Sequence, residues 1–295
     1  MATLVVRRVV GRSAATFAQA SCCFEPEEGE AELLVGCPAD DAIVSGAFER
    51  RERGRIRRGS GGAALTVGRG TVWLTLRLAR ADVLTACDPT RLMNRHVRPL
   101  LKALGRCGAQ AAYFDRDWFA VDHRPAGMVA FGHDATTGAC TFEAFVAVTS
   151  PFAFVQRDSY RGKQPGALDE LAGVTDSARI IDAIVVAYGD GHRVVELPMP
   201  ETTTIGRSDE DPPWLATVDE AIGIVGATRS RLGGEFMASR DAVARFEAEM
   251  ATTTDVGSLV DATFTAPNVV VYGVRSLKSI RDAVLDARAR ARGAP

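Results

Sequence analysis

Arg57–Ala64 reads RRGSGGAA, set between two segments of strand character, Arg53–Arg58 and Ala63–Val67. Glycines in such a run let the backbone approach a ligand with no Cβ in the way, and successive exposed N–H groups can cradle an anion. Arg57 and Arg58 add fixed charge and forked donors suited to phosphate or carboxylate. The competing reading is a glycine-rich hairpin carrying two solvated arginines.

Outward from this run, short apolar or alternating segments predict strands at Leu4–Val10, Glu32–Val35, Ala42–Ser45, Thr71–Leu78, Gln110–Tyr113, Trp118–Val121, Met128–Phe131 and Thr141–Val148. Thr71–Leu78 alternates cleanly, with Val72, Leu74, Leu76 and Leu78 on one face and Thr71, Trp73, Thr75 and Arg77 on the other. Gly132–Cys140, GHDATTGAC, supplies the turn chemistry of a hairpin. Asp88-Pro89 opens a helix with the stripe Leu92, Val97, Leu100, Leu101 and Leu104, in which Pro99 predicts a kink or split. Asp176 caps a second helix that buries Ile180, Ile181, Ile184 and Val185 and closes near Gly189. Many strands, few helices and no βαβ rhythm imply an α+β fold with a mixed, largely antiparallel sheet and flanking helices.

Residues 196–213, rich in Pro, Thr and acid, read as a linker. It divides the chain into a domain at 1–195 and a small α+β unit at 214–295, with helices expected at Ser239–Met250 and Leu277–Ala291 around a strand at Asn268–Tyr272. The chain has 295 residues, 46% apolar and 24% charged, with net charge −2, so it is no general electrostatic partner for nucleic acid or anionic lipid. No apolar run reaches membrane-spanning length, and arginines interrupt the start MATLVVRRVV where a signal peptide would be apolar. Six scattered cysteines without CxxC or zinc spacing fit reduced thiols in the cytoplasm and no metal site. Against 32 arginines stand only three lysines, Lys102, Lys163 and Lys278, so any mechanism needing an ammonium has three candidates.

RRGSGGAAL resembles the RRxSGGGAV signature of lipoate–protein ligases in the biotin/lipoate ligase superfamily. The order of later segments fits the same resemblance. Thr71–Leu78 stands where that family has its GNxN-type strand, and PLLKALGRCG (Pro99–Gly108) resembles the helix ending L-x-x-L-G. YFDRDWFAV (Tyr113–Val121) is similar to YFGRNDLVV, with Arg116 and Asp117 at the RN pair, and VDHRPAG (Val121–Gly127) to VDGRKISG. Gly166–Gly189 resembles the G-x-x-x-L-x-E-L stretch and the last helix of the catalytic domain, so the likeness spans roughly residues 1–195. It implies a class II aminoacyl-tRNA synthetase/biotin ligase-like fold. It further implies that ATP, with Mg, and lipoate form lipoyl-AMP, whose acyl group passes to a lysine of a lipoyl-carrier protein domain. Carried over residue by residue, the ligand-binding set is Arg57, Arg58, Ser60, Gly61, Gly62, Ala63, Arg116, Asp117 and Gly127.

The family's catalytic lysine is absent, because Pro125 occupies its place and offers neither charge nor donor. Arg124, next to it, points to the opposite face of a strand. Further departures are Ala63 for the third glycine, Val67-Gly68 for His-Asp, Met128 for a glycine and Phe142-Glu143 for His-Gly. Lys163, in SYRGKQPG beside Arg161, is the single candidate substitute, against the plain reading of a solvated loop lysine. Tyr113 replaces the cysteine of related acyltransferases, Cys140 reads as a core residue, and His133-Asp134 reads as turn chemistry. Three functions stay open: an acyl-adenylate-forming ligase with an altered site, a catalytically degenerate protein that binds a lipoyl-type ligand or a carrier protein and needs no cofactor, and an RNA-binding protein using the arginines of Arg50–Arg58. The last is disfavoured by the negative net charge and the lack of interleaved aromatics.

Overall fold

The structure is a computed structural model that describes residues 1–22, 27–114, 117–150, 163–200, 210–212, 214–219, 222–225 and 231–293. Elements run β1 (Thr3–Val9), α1 (Ala14–Cys22), β2 (Glu30–Gly36), β3 (Ala42–Ser45), β4 (Ile56–Arg57), β5 (Leu65–Val67), β6 (Thr71–Leu78), α2 (Leu92–Cys107), β7 (Ala111–Tyr113), β8 (Trp118–Val121), β9 (Arg124–His133) and β10 (Cys140–Ala147). There follow α3 (Leu168–Ala172), α4 (Ser177–Gly189), β11 (Arg193–Glu196), β12 (Trp214–Asp219), β13 (Ile222–Val225), β14 (Arg231–Gly233), β15 (Met237–Ala238), α5 (Arg240–Met250), α6 (Val256–Phe264), β16 (Val271–Tyr272) and α7 (Leu277–Gly293).

An eight-stranded sheet of order β11-β1-β2-β6-β10-β9-β8-β7 is the frame, parallel only where β1 meets β11 and β2. The mixed, largely antiparallel α+β expectation holds. Its centre is the β6–β10 pair, in which Trp73 faces Phe145, Thr75 faces Glu143 and Leu76 faces Phe142. The alternation read in Thr71–Leu78 sorts the two faces correctly, yet all eight residues are buried. The reason is cover on both sides. The leucine face meets α2 and α4, where His96 lies against Phe142. The Trp73 face meets α1, where Phe17 stacks on Trp73 at 5.3 Å, and the run that follows β4, where Arg58 lies over the Phe145 ring and the Ser60 amide donates to Glu143.

Several expectations need correction. Arg53–Arg58 forms strand only at Ile56–Arg57, and β9 extends well beyond Met128–Phe131 in both directions. Helix α2 runs unbroken through Pro99 after a short 3-10 turn, Pro89–Arg91, capped by Asp88. Helix α1, built on an alanine-rich stretch behind Ser13, was not anticipated, nor were α6 and the strands β11 to β15. The Asp176 cap stands, accepting from the Arg179 amide at 3.1 Å. Two buried apolar clusters organise the chain. They trade residues: Met237 packs in the cluster of the large sheet, and Phe48 in the cluster formed by α5, α6 and α7.

Candidate functional site

The glycine run leaves β4 and lies against the Trp73 face of the sheet, fully buried from Arg58 to Leu65. Arg58 has no solvent exposure. Its Nε donates to Ser60 Oγ at 3.0 Å, Nη1 to the Val44 carbonyl at 3.2 Å, and Nη2 to the carbonyls of Gly61 (2.6 Å) and Ala63 (3.0 Å). The guanidinium also sits 5.5 Å from the centre of the Phe145 ring. Burial pulls its pKa down, and the nearby carboxylates of Glu143 and Glu49 act in the opposite sense. Arg58 is therefore the internal strut of the loop, with its donors spent on the loop's own carbonyls.

The loop amides are answered in the same way. Gly59 donates to Ser21 Oγ (2.7 Å), Ser60 to Glu143 Oε2 (3.1 Å), Gly61 to the Phe131 carbonyl (3.0 Å) and Gly62 to the Phe236 carbonyl (3.0 Å). Ala64 donates to Glu49 Oε1 at 2.6 Å. Glu143, the departure that would confront a phosphate, lies beneath the loop and also accepts from Trp73 Nε1 (2.9 Å) and Thr75 Oγ1 (3.1 Å). A carboxylate there substitutes for an anionic ligand at the Ser60 amide.

The last contact comes from the C-terminal part of the chain. Phe236 and Met237 are each 1% exposed and lie across Gly61 and Gly62. A Cβ on Gly61 would stand 2.5 Å from the Phe236 carbonyl oxygen and 2.8 Å from Met237 Cα, so only glycine admits this approach. Gly62 has φ +85°, and Met128 and Met237 fill the space beside it. Phe236 stacks on Phe48 with ring centres 4.7 Å apart, while Met237 Sδ accepts from the Phe131 amide at 3.3 Å.

The other residues of the expected set are placed as follows. Arg57 is partly buried and donates to the Glu49 carbonyl, with its pKa brought to about 10 by burial and by Arg231 and Arg51. Asp117 is buried and is one of the carboxylates acting on Arg58. Gly127 in β9 lies against the ring of Phe119. Arg116 and Arg161 lie outside the described residues. Pro125 is buried at a register shift between β8 and β9, and its carbonyl accepts from Gly166. Arg124 turns to Glu170 and to the carbonyls of Gln164 and Pro165. Lys163 is exposed and donates to the His123 carbonyl at 2.8 Å, on the turn preceding β9. Lys102 pairs with Asp190. The groups that sequence reading missed as functional partners are Glu143 as a loop anchor, Glu49, and the segment Phe236–Met237.

In the run Arg50–Arg58, Arg57 and Arg58 are turned inward and Arg50 and Arg55 share Glu52, which leaves Arg51 and Arg53 exposed. Cys140 is buried, and burial raises its thiol far above the usual range. Asp134 does serve the hairpin, accepting from the Thr136 and Thr137 amides, but His133 is fully buried against Ser239 Oγ at 2.8 Å. Among the described residues no group of three His, Cys, Asp or Glu side chains is arranged to hold a metal ion, and no helix is long and apolar enough to cross a membrane.

Solved structures with the same fold are lipoate–protein ligases. A bi-partite lipoate protein ligase from Thermoplasma acidophilum, studied with its E2 lipoyl domain, superimposes with a TM-score of 0.52 at 14% identity, covering 68% of this chain and 88% of that one. A lipoate–protein ligase A bound with ATP gives 0.53 at 14% identity over 68% and 90%. A T. acidophilum protein described as a lipoate protein ligase, with bound lipoic acid, gives 0.51 at 14% identity over 68% and 90%. The chain thus has the lipoate–protein ligase fold, as the RRGSGGAAL resemblance implied. No protein-family model matches the chain, and no curated protein is similar to it in sequence.

Proposed function

We propose that this is a cytoplasmic, catalytically silent protein of lipoate-ligase fold that recognises a lipoyl-type ligand or a lipoyl-carrier domain without making the acyl adenylate. Residues 1–195 are its ligand-handling domain and 214–295 its accessory unit. One observation carries this reading: each described cation that the resemblance brings to the site already has a partner within the chain. Pro125 holds the lysine's position, and Arg124, Lys163 and Arg58 are committed to Glu170, the His123 carbonyl and the loop's own carbonyls. Removing one such donor from an active site costs roughly 100- to 1000-fold in rate, and here the charge is missing along with the donor. In this conformation the amides of Gly59, Ser60, Gly61, Gly62 and Ala64 already have acceptors, so an ATP phosphate would meet them only after they are released.

A second reading, an ATP- and lipoate-dependent ligase, is favoured by one feature. Gly62 is closed by a single main-chain bond from the C-terminal part, and loss of that bond would free its amide. Lipoate-dependent exchange of pyrophosphate into ATP separates the two. Background exchange at high protein concentration, together with a thermal shift on adding lipoate or an apo lipoyl domain, is the expected result. Exchange above background that falls in Lys163→Ala would overturn the proposal.

A further inference from the structure

The segment that closes the loop resembles a ligand in its chemistry. It presents a carbonyl oxygen, that of Phe236, to the Gly62 amide at 3.0 Å. Beside that carbonyl it inserts an unbranched, sulfur-bearing apolar chain, that of Met237, into the core of the large-sheet domain next to Met128. Thioether chains of this kind adapt their shape to irregular apolar slots. We infer that Phe236–Met237 is an internal pseudo-ligand, occupying the places of the carbonyl and chain of a linear, sulfur-tolerant acyl group, which must displace it to bind. The inference rests on the proposed reading of the glycine loop as the lipoyl-type site and adds how that site is regulated.

The local construction allows displacement. Strand β15 is only two residues long and, among the described residues, pairs with the equally short β16, Met237 opposite Tyr272 and Ala238 opposite Val271, while the next residue, Ser239, makes a single bridge to His133. Gly234, with φ +148°, precedes the segment, and Gly273, with φ +85°, follows its partner strand. These are backbone conformations that permit a hinge. Opposing release are the Phe48–Phe236 stack, the bond from Gly234 N to the Phe48 carbonyl at 3.0 Å, and the bond from the Phe131 amide to Met237 Sδ. The closed form therefore dominates, and apparent affinity falls by the fraction of molecules that are open.

Gly61 offers a selective test, because the three heavy atoms closest to a Cβ placed there all belong to Phe236 and Met237. Gly61→Ala should push the segment off the loop, and Met237→Ala should vacate the slot from the other side. Calorimetric titration of the full chain with lipoate and with octanoate is expected to show affinity at least about tenfold tighter in Met237→Ala than in the parent, whereas Gly61→Ala gains none, because its Cβ crowds the ligand's carbonyl as it crowds that of Phe236. Hydrogen exchange should show lost protection at the Gly62 amide in Gly61→Ala, and at Met237 and Ala238 when the parent is saturated with lipoate. A cooperatively folded Met237→Ala with unchanged affinity, no binding in either it or the parent, or protection at Met237 that rises with lipoate would each overturn the inference. Pyrophosphate exchange run in parallel keeps the two proposals apart: exchange in Met237→Ala would sink catalytic silence alone, and unmoved affinities would sink the pseudo-ligand alone.

Discussion

Glu143 and Arg58 face each other through the buried loop, and neither acts on an outside group. Glu143 accepts from a loop amide, an indole and a hydroxyl, and Arg58 donates to a hydroxyl and three carbonyls. A buried charge stripped of its partner is far costlier than the pair is worth. Glu143→Leu should destabilise the fold by about 3–5 kcal/mol, because it removes the carboxylate acting most strongly on Arg58 and the acceptor of the Ser60 amide, the Trp73 indole and the Thr75 hydroxyl. Glu143→Gln turns one acceptor into a donor facing the Ser60 amide and should cost about 1–3 kcal/mol. Arg58→Lys should cost a similar amount, since one ammonium cannot reproduce the fork. Urea denaturation of the three variants checks the order, and a Glu143→Leu protein as stable as the parent would remove this account of the loop.

At the scale of elements, two carboxyls flank the approach to the closing segment: half-buried Glu247 accepts from the Leu232 amide of β14, and buried Glu49 feels the charge of Glu235. Burial raises Glu49 to about 7, with Glu235 adding to the rise and Arg58 and the Ala64 amide opposing it; burial likewise raises Glu247 to about 7. A carboxyl with a raised folded pKa binds its proton more tightly in the folded state, so its contribution is lost as pH climbs from about 4.5 towards 7. Glu49→Gln keeps the oxygen that accepts from Ala64 and removes the charge. It should therefore melt progressively higher than the parent as pH rises from 5.5 to 8; a gap independent of pH would contradict the assignment. These partnerships also mark how far the sequence was legible. Thr71–Leu78 and Trp118–Val121 were read correctly because a strand's period is local. The glycine run was identified, but its closure was not, because Ser60 meets Glu143 across 83 residues and Gly62 meets Phe236 from the C-terminal part of the chain. Nothing in the local pattern of a glutamate within CTFEAFVAV distinguishes a loop anchor from a ligand contact. Helix α1 escaped because its alanines carry little amphipathic contrast.

On the scale of the whole molecule, the exchange of Phe48 for Met237 makes each apolar cluster depend on the other part of the chain. Phe48 is 7% exposed and packs with Phe236 beside α5 to α7, while Met237 packs beneath β9. Parts joined by a linker alone would melt separately, whereas parts that fill each other's cores lose both fillings together. The intact protein should thus give one calorimetric transition whose calorimetric and van't Hoff enthalpies agree. Phe48→Ala removes the large ring from the shared contact and should cost about 3–5 kcal/mol. Because that loss falls on the junction, it should also split the transition, the C-terminal elements melting first. Two transitions already present in the parent would mean that the segment across Gly61 and Gly62 opens independently, and the closed loop would then be one populated state among others, with its amides free for a ligand in the rest.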